Sequence, residues 1–325
     1  MNILFCSAGR RGQLLKNFRQ SMGDKGKIIA TDLSEYAPAL YFADKAYLVP
    51  PINDPTYLDT VVDICKKENI DAITTVIDPE IEILAKYRDR FESIGVEVLA
   101  PYEETAKLCF DKFAMYEYLT KCGIPTVLTF GDFNSFKTAF DSGKIDFPVF
   151  VKPRTGSGSV GARKICNIGD LKCAFDADSS LIVQEFMKGR DLDADVYIDT
   201  ISKQPVAIFS KKKISTTIGG ANKTVSFKDE KLFQLIKEAL KHFEFNGPID
   251  IDFFERDGEY YLSEINPRFG GAYLHAYGAG VDFVNLIENN LNGIANESII
   301  GEYEENIVMM MYDSVVIRKT GELAK

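Results

Sequence analysis

The first hundred residues alternate between short apolar runs and stretches of helical periodicity, and this alternation restricts the fold more than any other feature. It predicts strands at residues 3–6, 27–31, 72–77 and 96–99, with helices at 13–20, 57–68 and 80–90 between them. Strand–helix alternation with short links is typical of a parallel sheet that is covered by helices on both faces. Ligands of such sheets bind beyond the carboxyl ends of the strands.

Charged side chains follow two of these predicted strands. Arg10 and Arg11 follow the first, and Asp78 and Glu80 follow the third. We expect these four residues to contact an acidic or amino-acid substrate, with ordinary helix-terminus chemistry as the alternative. The two arginines occupy the turn where the pyrophosphate of a dinucleotide needs bare backbone, which disfavours a dehydrogenase.

Composition excludes several classes of protein. A chain of 325 residues suits two or three subdomains, and its 38 basic and 48 acidic residues give a net charge of −10, which argues against nucleic-acid binding. No apolar run approaches the ~18 residues of a membrane span, and the start does not resemble a signal peptide, so we expect a cytoplasmic protein without a membrane partner. Six scattered cysteines and two histidines disfavour a zinc site. Any metal must therefore be held by carboxylates.

A glycine-rich segment at residues 156–161 lies between two predicted strands. It fits the dinucleotide pattern GxGxxG, but that pattern requires a helix directly after it, and here the next helix is predicted only near Asp170. A strand, a glycine loop and a strand indicate a flexible flap whose backbone N–H groups could cover phosphates, with a surface hairpin as the alternative. The expected phosphate contacts are Lys152, Gly156, Ser157, Gly158 and Ser159.

Residues 248–255 and 259–266 read as two strands of a hairpin. A two-residue turn would pair Ile251 with Glu264, whereas a three-residue turn at 257–259 pairs Asp252 with Glu264 and puts Asn266 on the same face. We expect the second register. Facing carboxylates repel each other unless a cation lies between them, and oxygen-only ligands suit Mg²⁺ or Mn²⁺. A solvated polar face is the alternative.

The residues after this hairpin suit the chemistry of a transferring phosphoryl group. Arg268 is placed to stabilise its negative charge, with a structural salt bridge as the alternative. Gly270 and Gly271 allow a substrate to approach the backbone closely.

Another predicted strand runs into a linker before a further strand at residues 193–199. The linker could offer backbone groups to an adenine ring, and Asp191 could accept hydrogen bonds from a ribose. Taken alone, the segment also reads as a plain loop. The expected adenine contacts are Gln184, Glu185, Phe186 and Met187.

These motifs, in this order, resemble the ATP-grasp superfamily over nearly the whole chain, in particular short proteins similar to the carbamoyl-phosphate synthase large chain and to amino-acid and biotin-carboxylase ligases. The resemblance implies a mixed α/β and α+β fold: a Rossmann-like domain at 1–101, an ATP-grasp small subdomain with the flap at 102–186, and a large subdomain with the metal site at 187–325. Lys211–Lys213 occupy the place where relatives often carry Arg-x-Arg, and Gly219-Gly220 depart from their Gly-Glu. The roles it implies are nucleotide binding by Lys112, Lys152 and Lys213, adenine binding by residues 184–187, ribose binding by Asp191, and metal binding by Asp252, Glu264 and Asn266.

The function implied is that of an ATP-dependent carboxylate–amine ligase, which works through an acyl phosphate and has Lys152 and Arg268 as its catalytic residues. Its cofactors would be ATP and Mg²⁺ or Mn²⁺, and its partners a small-molecule carboxylate and an amine. A kinase of carbamate or another small molecule is the first alternative, and a non-catalytic nucleotide-binding module is the second. The apolar run at 307–311 is expected to form either a homodimer interface or a core strand.

Overall fold

The computed structural model describes residues 1–156, 161–217, 220–322 and 324, and their strands form three sheets. The first sheet is parallel, with the strand order β3-β2-β1-β4-β5. Its elements are β1 (Asn2–Cys6), α1 (Gly12–Met22), β2 (Lys27–Asp32), a 3-10 turn (Pro38–Phe42), β3 (Lys45–Leu48), α2 (Tyr57–Glu68), β4 (Ala72–Thr75), α3 (Asp78–Lys86), α4 (Arg88–Glu92) and β5 (Glu97–Val98).

Two features of this domain differ from the sequence prediction. The helix expected at 80–90 is two helices, α3 and α4, which are separated at Tyr87. The edge strand β3 was not predicted, because its four residues are exposed or only half-buried and form no apolar run. The parallel sheet itself is confirmed.

The second sheet is antiparallel and has the order β6-β9-β7-β8. Asp111 begins the helix α6, since its carboxylate accepts hydrogen bonds from the backbone N–H groups of Phe113 and Ala114. The elements of this region are α5 (Glu103–Phe110), α6 (Lys112–Lys121), β6 (Thr129–Phe130), α7 (Phe133–Asp141), β7 (Val149–Pro153), β8 (Arg163–Ile165), α8 (Ile168–Ala177) and β9 (Leu181–Glu185).

The third sheet is also antiparallel, with the order β14-β13-β10-β11-β12-β15. The strand β10 begins at Arg190, three residues before the predicted start at 193, so Asp191 belongs to a strand rather than to a linker. The elements are β10 (Arg190–Ile198), β11 (Pro205–Thr217), β12 (Gly220–Phe227), α9 (Glu230–Leu240), β13 (Gly247–Arg256), β14 (Glu259–Asn266), α10 (Leu274–Gly278), α11 (Phe283–Leu291) and β15 (Val308–Met310), followed by a 3-10 turn (Thr320–Glu322).

One face of the first sheet shares a hydrophobic core with the third sheet, a separate core covers its other face, and the second sheet has a core of its own. Phe18 of α1 packs edge-on against Phe269, with 5.5 Å between the ring centroids. The core of the second sheet is built around Phe136 and the strands β7 and β9. The predicted division at 101 and 186 stays a prediction. Among the described residues, no helix has the length and apolar character needed to cross a membrane.

Candidate active site

A cleft of about 470 Å³ lies where the three sheets meet. The first domain contributes Arg11, and the second contributes Lys112 and Lys152. The third sheet contributes the face that carries most of the charge, namely Asp193, Lys213, Asp250, Asp252, Glu264 and Asn266, with Arg268 just beyond it. The structure therefore brings the predicted metal ligands together with Arg268 and with the predicted phosphate contacts Lys152 and Gly156.

Asp252 lies directly opposite Glu264, in the predicted register, but the turn differs from the prediction. Only Asp257 and Gly258 form it, with φ of +55° and +78°, since Arg256 already pairs with Glu259. A regular ladder from this two-residue turn would give the other register. A bulge after Asp252 restores the predicted one, because an extra residue in β14 shifts the pairing by one position.

The side-chain oxygen atoms of the three predicted metal ligands lie on this face, and each of them contacts a nitrogen donor in this structure. Asn266 donates a hydrogen bond from Nδ2 to Asp252 Oδ2, at 3.2 Å. Glu264 lies 3.4 Å from Lys112 Nζ and 3.6 Å from Lys152 Nζ. Burial raises the pKa of Glu264, but the two ammonium groups outweigh it and hold this pKa below its ordinary value. Three oxygen ligands, two of them carboxylates, fit Mg²⁺ or Mn²⁺.

Lys112 and Lys152 connect this face to the glycine-rich segment. Lys112 Nζ donates to the carbonyl oxygen of Gly156, at 2.5 Å, which holds the start of the segment beside the cleft. Burial lowers the pKa of Lys152, and the positive charge of Lys112 lowers it further. The negative charge of Glu264 raises this pKa but does not outweigh the burial. Gly156 has a φ of +102°, which favours glycine. The predicted contacts Ser157, Gly158 and Ser159 lie outside the described residues.

The two outer lysines of the Lys211–Lys213 run have different environments. Lys211 is fully buried, and its Nζ lies 3.0 Å from Asp193 and contacts Asp195. Burial lowers the pKa of Lys211, but these carboxylates outweigh it and raise the pKa above its ordinary value. Lys213, two residues further on the same face, lines the cleft. Of these two lysines, Lys213 is the one that is placed to meet a phosphate.

Asp191 does not stand free for a ribose. Its carboxylate lies 2.9 Å from Lys213 Nζ, which also lies 2.5 Å from Asp252. Burial lowers the pKa of Lys213, but Asp252 and the other nearby carboxylates raise it well above its ordinary value. Asp191 is thus part of the charge balance of the sheet, and its ribose role stays a prediction.

Arg268 is held by two carboxylates at the edge of the cleft. Its Nε lies 2.9 Å from Asp78, and its Nη1 lies 3.7 Å from Asp250. Burial lowers the pKa of Arg268, but Asp78 and Asp250 outweigh it, so the guanidinium stays charged. Asp78 was predicted to contact substrate; in this structure it orients Arg268.

The residues after Arg268 are held by hydrogen bonds from Arg11, and the close packing around Gly270 leaves no room for a side chain there. Arg11 Nη2 donates to the carbonyl oxygens of Phe269 (3.2 Å) and Gly270 (2.5 Å). Burial, helped by Arg268, lowers the pKa of Arg11 to about 10. A Cβ atom on Gly270 would lie 2.6 Å from a carboxylate oxygen of both Asp195 and Asp250. Gly270 is therefore required for packing, while Gly271 lines the cleft.

Two groups of predicted contacts do not line the cleft. Glu80 is completely buried and accepts hydrogen bonds from the hydroxyl groups of Tyr57 and Thr75, so its predicted substrate contact is corrected to a structural role. Among the described residues that line the cleft, none comes from the predicted adenine linker. Gln184 donates a hydrogen bond to Thr129, and Glu185 forms a salt bridge with Arg256. The ammonium group of Lys164 lies over the ring of Phe186, and Met187 is buried.

Sequence reasoning missed the acidic group formed by Asp193, Asp195 and Asp250, which lies on the same face of the sheet as Asp252. Asp193 pairs with Asp252 and Asp195 with Asp250 on adjacent strands. A signal was present: acids recur at every second residue from 191 to 195 and at 250 and 252, as lysines do at 211 and 213. A period of two places each set on a single face of its strand.

The fold and the cleft define the class of protein: a parallel α/β domain followed by two antiparallel units that enclose a cleft of carboxylates and lysines. A family model described as "ATP-grasp domain" matches residues 109–272, and one described as "PylC-like, N-terminal domain" matches residues 3–99. The chain belongs to the ATP-grasp family.

Similar proteins include a carbamoyl-phosphate synthase of Methanobrevibacter smithii, 25% identical over 82% of this chain and 74% of that protein. A D-alanine–D-alanine ligase of Nitratiruptor sp. is 26% identical over 69% of each chain. Among solved structures, the biotin carboxylase domain dimer of Hydrogenobacter thermophilus 2-oxoglutarate carboxylase, in complex with MgADP and bicarbonate, has a TM-score of 0.73 at 18% identity, over 94% of this chain and 73% of that one. The matches confirm the predicted family and fold class, and they agree with the prediction of an ATP-dependent ligase.

Proposed function

We propose that the chain is an ATP-dependent carboxylate–amine ligase that uses Mg²⁺ or Mn²⁺. One observation carries the proposal: Asp252 and Glu264 face each other, Asn266 lies beside them, and two lysines from the second sheet region approach Glu264. Such a concentration of charge is costly unless its ligands are charged as well. A nucleoside triphosphate with its divalent cation has both signs of charge: the cation suits the carboxylates of the cleft, and the phosphates suit its lysines.

The chemistry needs no enzyme nucleophile. A substrate carboxylate oxygen attacks the γ-phosphorus of ATP, ADP leaves, and the product is an acyl phosphate. An amine nitrogen then attacks the acyl carbon, phosphate leaves, and the amine gives up a proton. A cation held by Asp252, Glu264 and Asn266 would neutralise phosphate charge, while Lys152 and Arg268 would spread the charge that develops on the transferring group.

Arg268 suits this role because Asp78 and Asp250 fix its orientation before substrate binds. A preoriented cation loses little free energy of reorganisation during the reaction. Lys112 holds Gly156 beside the cleft, so the glycine-rich segment begins where phosphates would lie. Exclusion of water by that segment would protect an acyl phosphate from hydrolysis.

ADP release is the direct test. The protein is incubated with MgATP and pooled carboxylates and amines, and pools that stimulate ADP release are then resolved into single compounds. We expect release to need both an acid and an amine, with an amide as product. No stimulation by any pool contradicts the proposal, and a stable phosphorylated product formed without an amine would show a kinase instead.

The homodimer is a separate proposal, supported by the dimeric form of the biotin carboxylase domain. Sedimentation equilibrium tests it, and a single species of monomer mass over the whole concentration range would contradict it.

A further inference from the structure

A second cavity, of about 770 Å³, adjoins the cleft. The two cavities lie side by side, since they share four lining residues, namely Arg11, Gly220, Ala221 and Gly271. A molecule whose reacting group lies beside Arg268 would therefore have the second cavity next to it.

One wall of this cavity is rich in methionine. Met309 belongs to the edge strand β15, where it pairs with Thr224, and the backbone N–H of Met311 donates to Asn222 at 2.8 Å. His275 holds the start of the same segment, since its ring nitrogens lie 2.7 Å from Thr224 Oγ1 and 3.1 Å from the carbonyl oxygen of Ile307. The wall is thus anchored to the sheet.

The opposite wall comes from the first domain. The ring of Phe42 packs so closely over the start of α1 that a Cβ atom on Gly12 would lie 2.5 Å from it. Lys16 Nζ lies 4.4 Å from the centroid of the same ring. Tyr273, which is buried, also lines the cavity. Both walls are therefore formed before any ligand binds.

We infer that this cavity receives the large apolar side chain of one of the two ligated substrates, on the scale of leucine, methionine or phenylalanine. The inference rests on the proposed function and names the substrate class for it. An apolar side chain would displace water from Phe42, Met309 and Met311, whereas a methyl group would leave the cavity wet. Methionine side chains adapt to such groups because they are flexible and polarisable.

The methionine wall also lies outside the residues that the ATP-grasp family model matches. Met309 and Met311 follow residue 272, where the ATP-grasp match ends.

Equilibrium binding tests the inference without depending on catalysis. Calorimetric titrations of the protein with MgADP use two series, each with methyl, isobutyl and benzyl side chains: free carboxylic acids without an amine, and amino-acid amides without a free acid. We expect one series to bind about tenfold more tightly with the large side chains than with methyl. The series that responds identifies which substrate enters the cavity.

Variants connect the binding to the wall. The double substitution Met309→Gln and Met311→Gln keeps the side-chain length, and should weaken binding of the large ligands about tenfold while leaving the methyl ligand unchanged. Val308→Gln, on the same strand but outside the cavity lining, is the matched control. Binding that is absent, independent of side-chain size, or equal in the double variant overturns the inference. Failure of ADP release alone would remove the proposed function and leave the binding result standing.

Discussion

Asp252 and Glu264 face each other across two strands only because β14 contains a bulge. The two-residue turn at Asp257 and Gly258 would by itself point Glu264 into the same layer as the buried Leu262. The extra residue reverses that direction and turns Glu264 toward Lys112 and Lys152. Bulges are common next to active sites, where they turn a side chain that would face the core toward the site.

Glu264→Gln tests whether this carboxylate acts in catalysis. The amide keeps the shape but loses the charge that a divalent cation and Lys152 both need, so we expect kcat/KM for ATP to fall about a hundredfold or more. Steady-state ADP release gives the value, and Glu259→Gln, an exposed acid on the same strand, is the control. Full activity in Glu264→Gln would favour a non-catalytic nucleotide-binding module.

Lys211→Met and Lys213→Met should separate stability from nucleotide binding. Loss of the buried Lys211 leaves Asp193 and Asp195 without their counter-ion, which should lower the free energy of unfolding by about 3–5 kcal/mol. Lys213 lines the cleft, and its partners Asp191 and Asp252 are partly exposed, so its loss should chiefly raise KM for ATP, about tenfold. Urea denaturation and ADP-release kinetics measure the two effects. Equal losses of stability would contradict the difference in their environments.

How far the sequence could predict this arrangement depends on which residues lie close together along the chain. The facing acids Asp252 and Glu264 were predictable, because β13 and β14 are consecutive strands and the alternation of apolar and polar residues along them is visible in the sequence. The bulge was not, since no property of the extra residue distinguishes it from a ladder residue. The burial of Lys211 could not be predicted either: three consecutive lysines indicate a solvated strand, and the acids that neutralise Lys211 come from β10, 16 and 18 residues earlier in the chain.

Glu80 shows the same limit in the first domain. An acid that follows a predicted strand and a proline reads as a strand-end ligand. Its burial depends on Tyr57 and Thr75, which come from a helix and a strand that the sequence predicts but cannot bring together.

Gly270→Ala should damage the site through packing. The added Cβ would lie 2.6 Å from oxygens of Asp195 and Asp250, so these carboxylates must move, at a cost of about 1–3 kcal/mol in unfolding free energy and with a loss of activity. Gly258→Ala is the matched control, because its Cβ meets nothing within 4 Å. Its positive φ should cost about 1 kcal/mol and leave activity unchanged. Unaltered kinetics in Gly270→Ala would argue that the acidic group does not support the site.

The pH dependence of stability should report the burial of Glu80. Burial raises the pKa of Glu80 to about 8, so the folded protein keeps a proton that the unfolded chain loses near its ordinary pKa, roughly 4.3. The stability from the neutral acid is complete below that ordinary pKa and is lost as the pH rises toward about 8.

Relative to Glu80→Gln, the wild-type free energy of unfolding should therefore fall as the pH rises from about 5 to 8, by at most about 1.4 kcal/mol per pH unit, and become level above that range. Urea denaturation of both proteins across this range measures the difference. Because Glu80 has no access to the cleft, KM for the substrates should be the same in both proteins at pH 6. Parallel stability curves together with an altered KM would restore Glu80 to the substrate site and contradict its buried position.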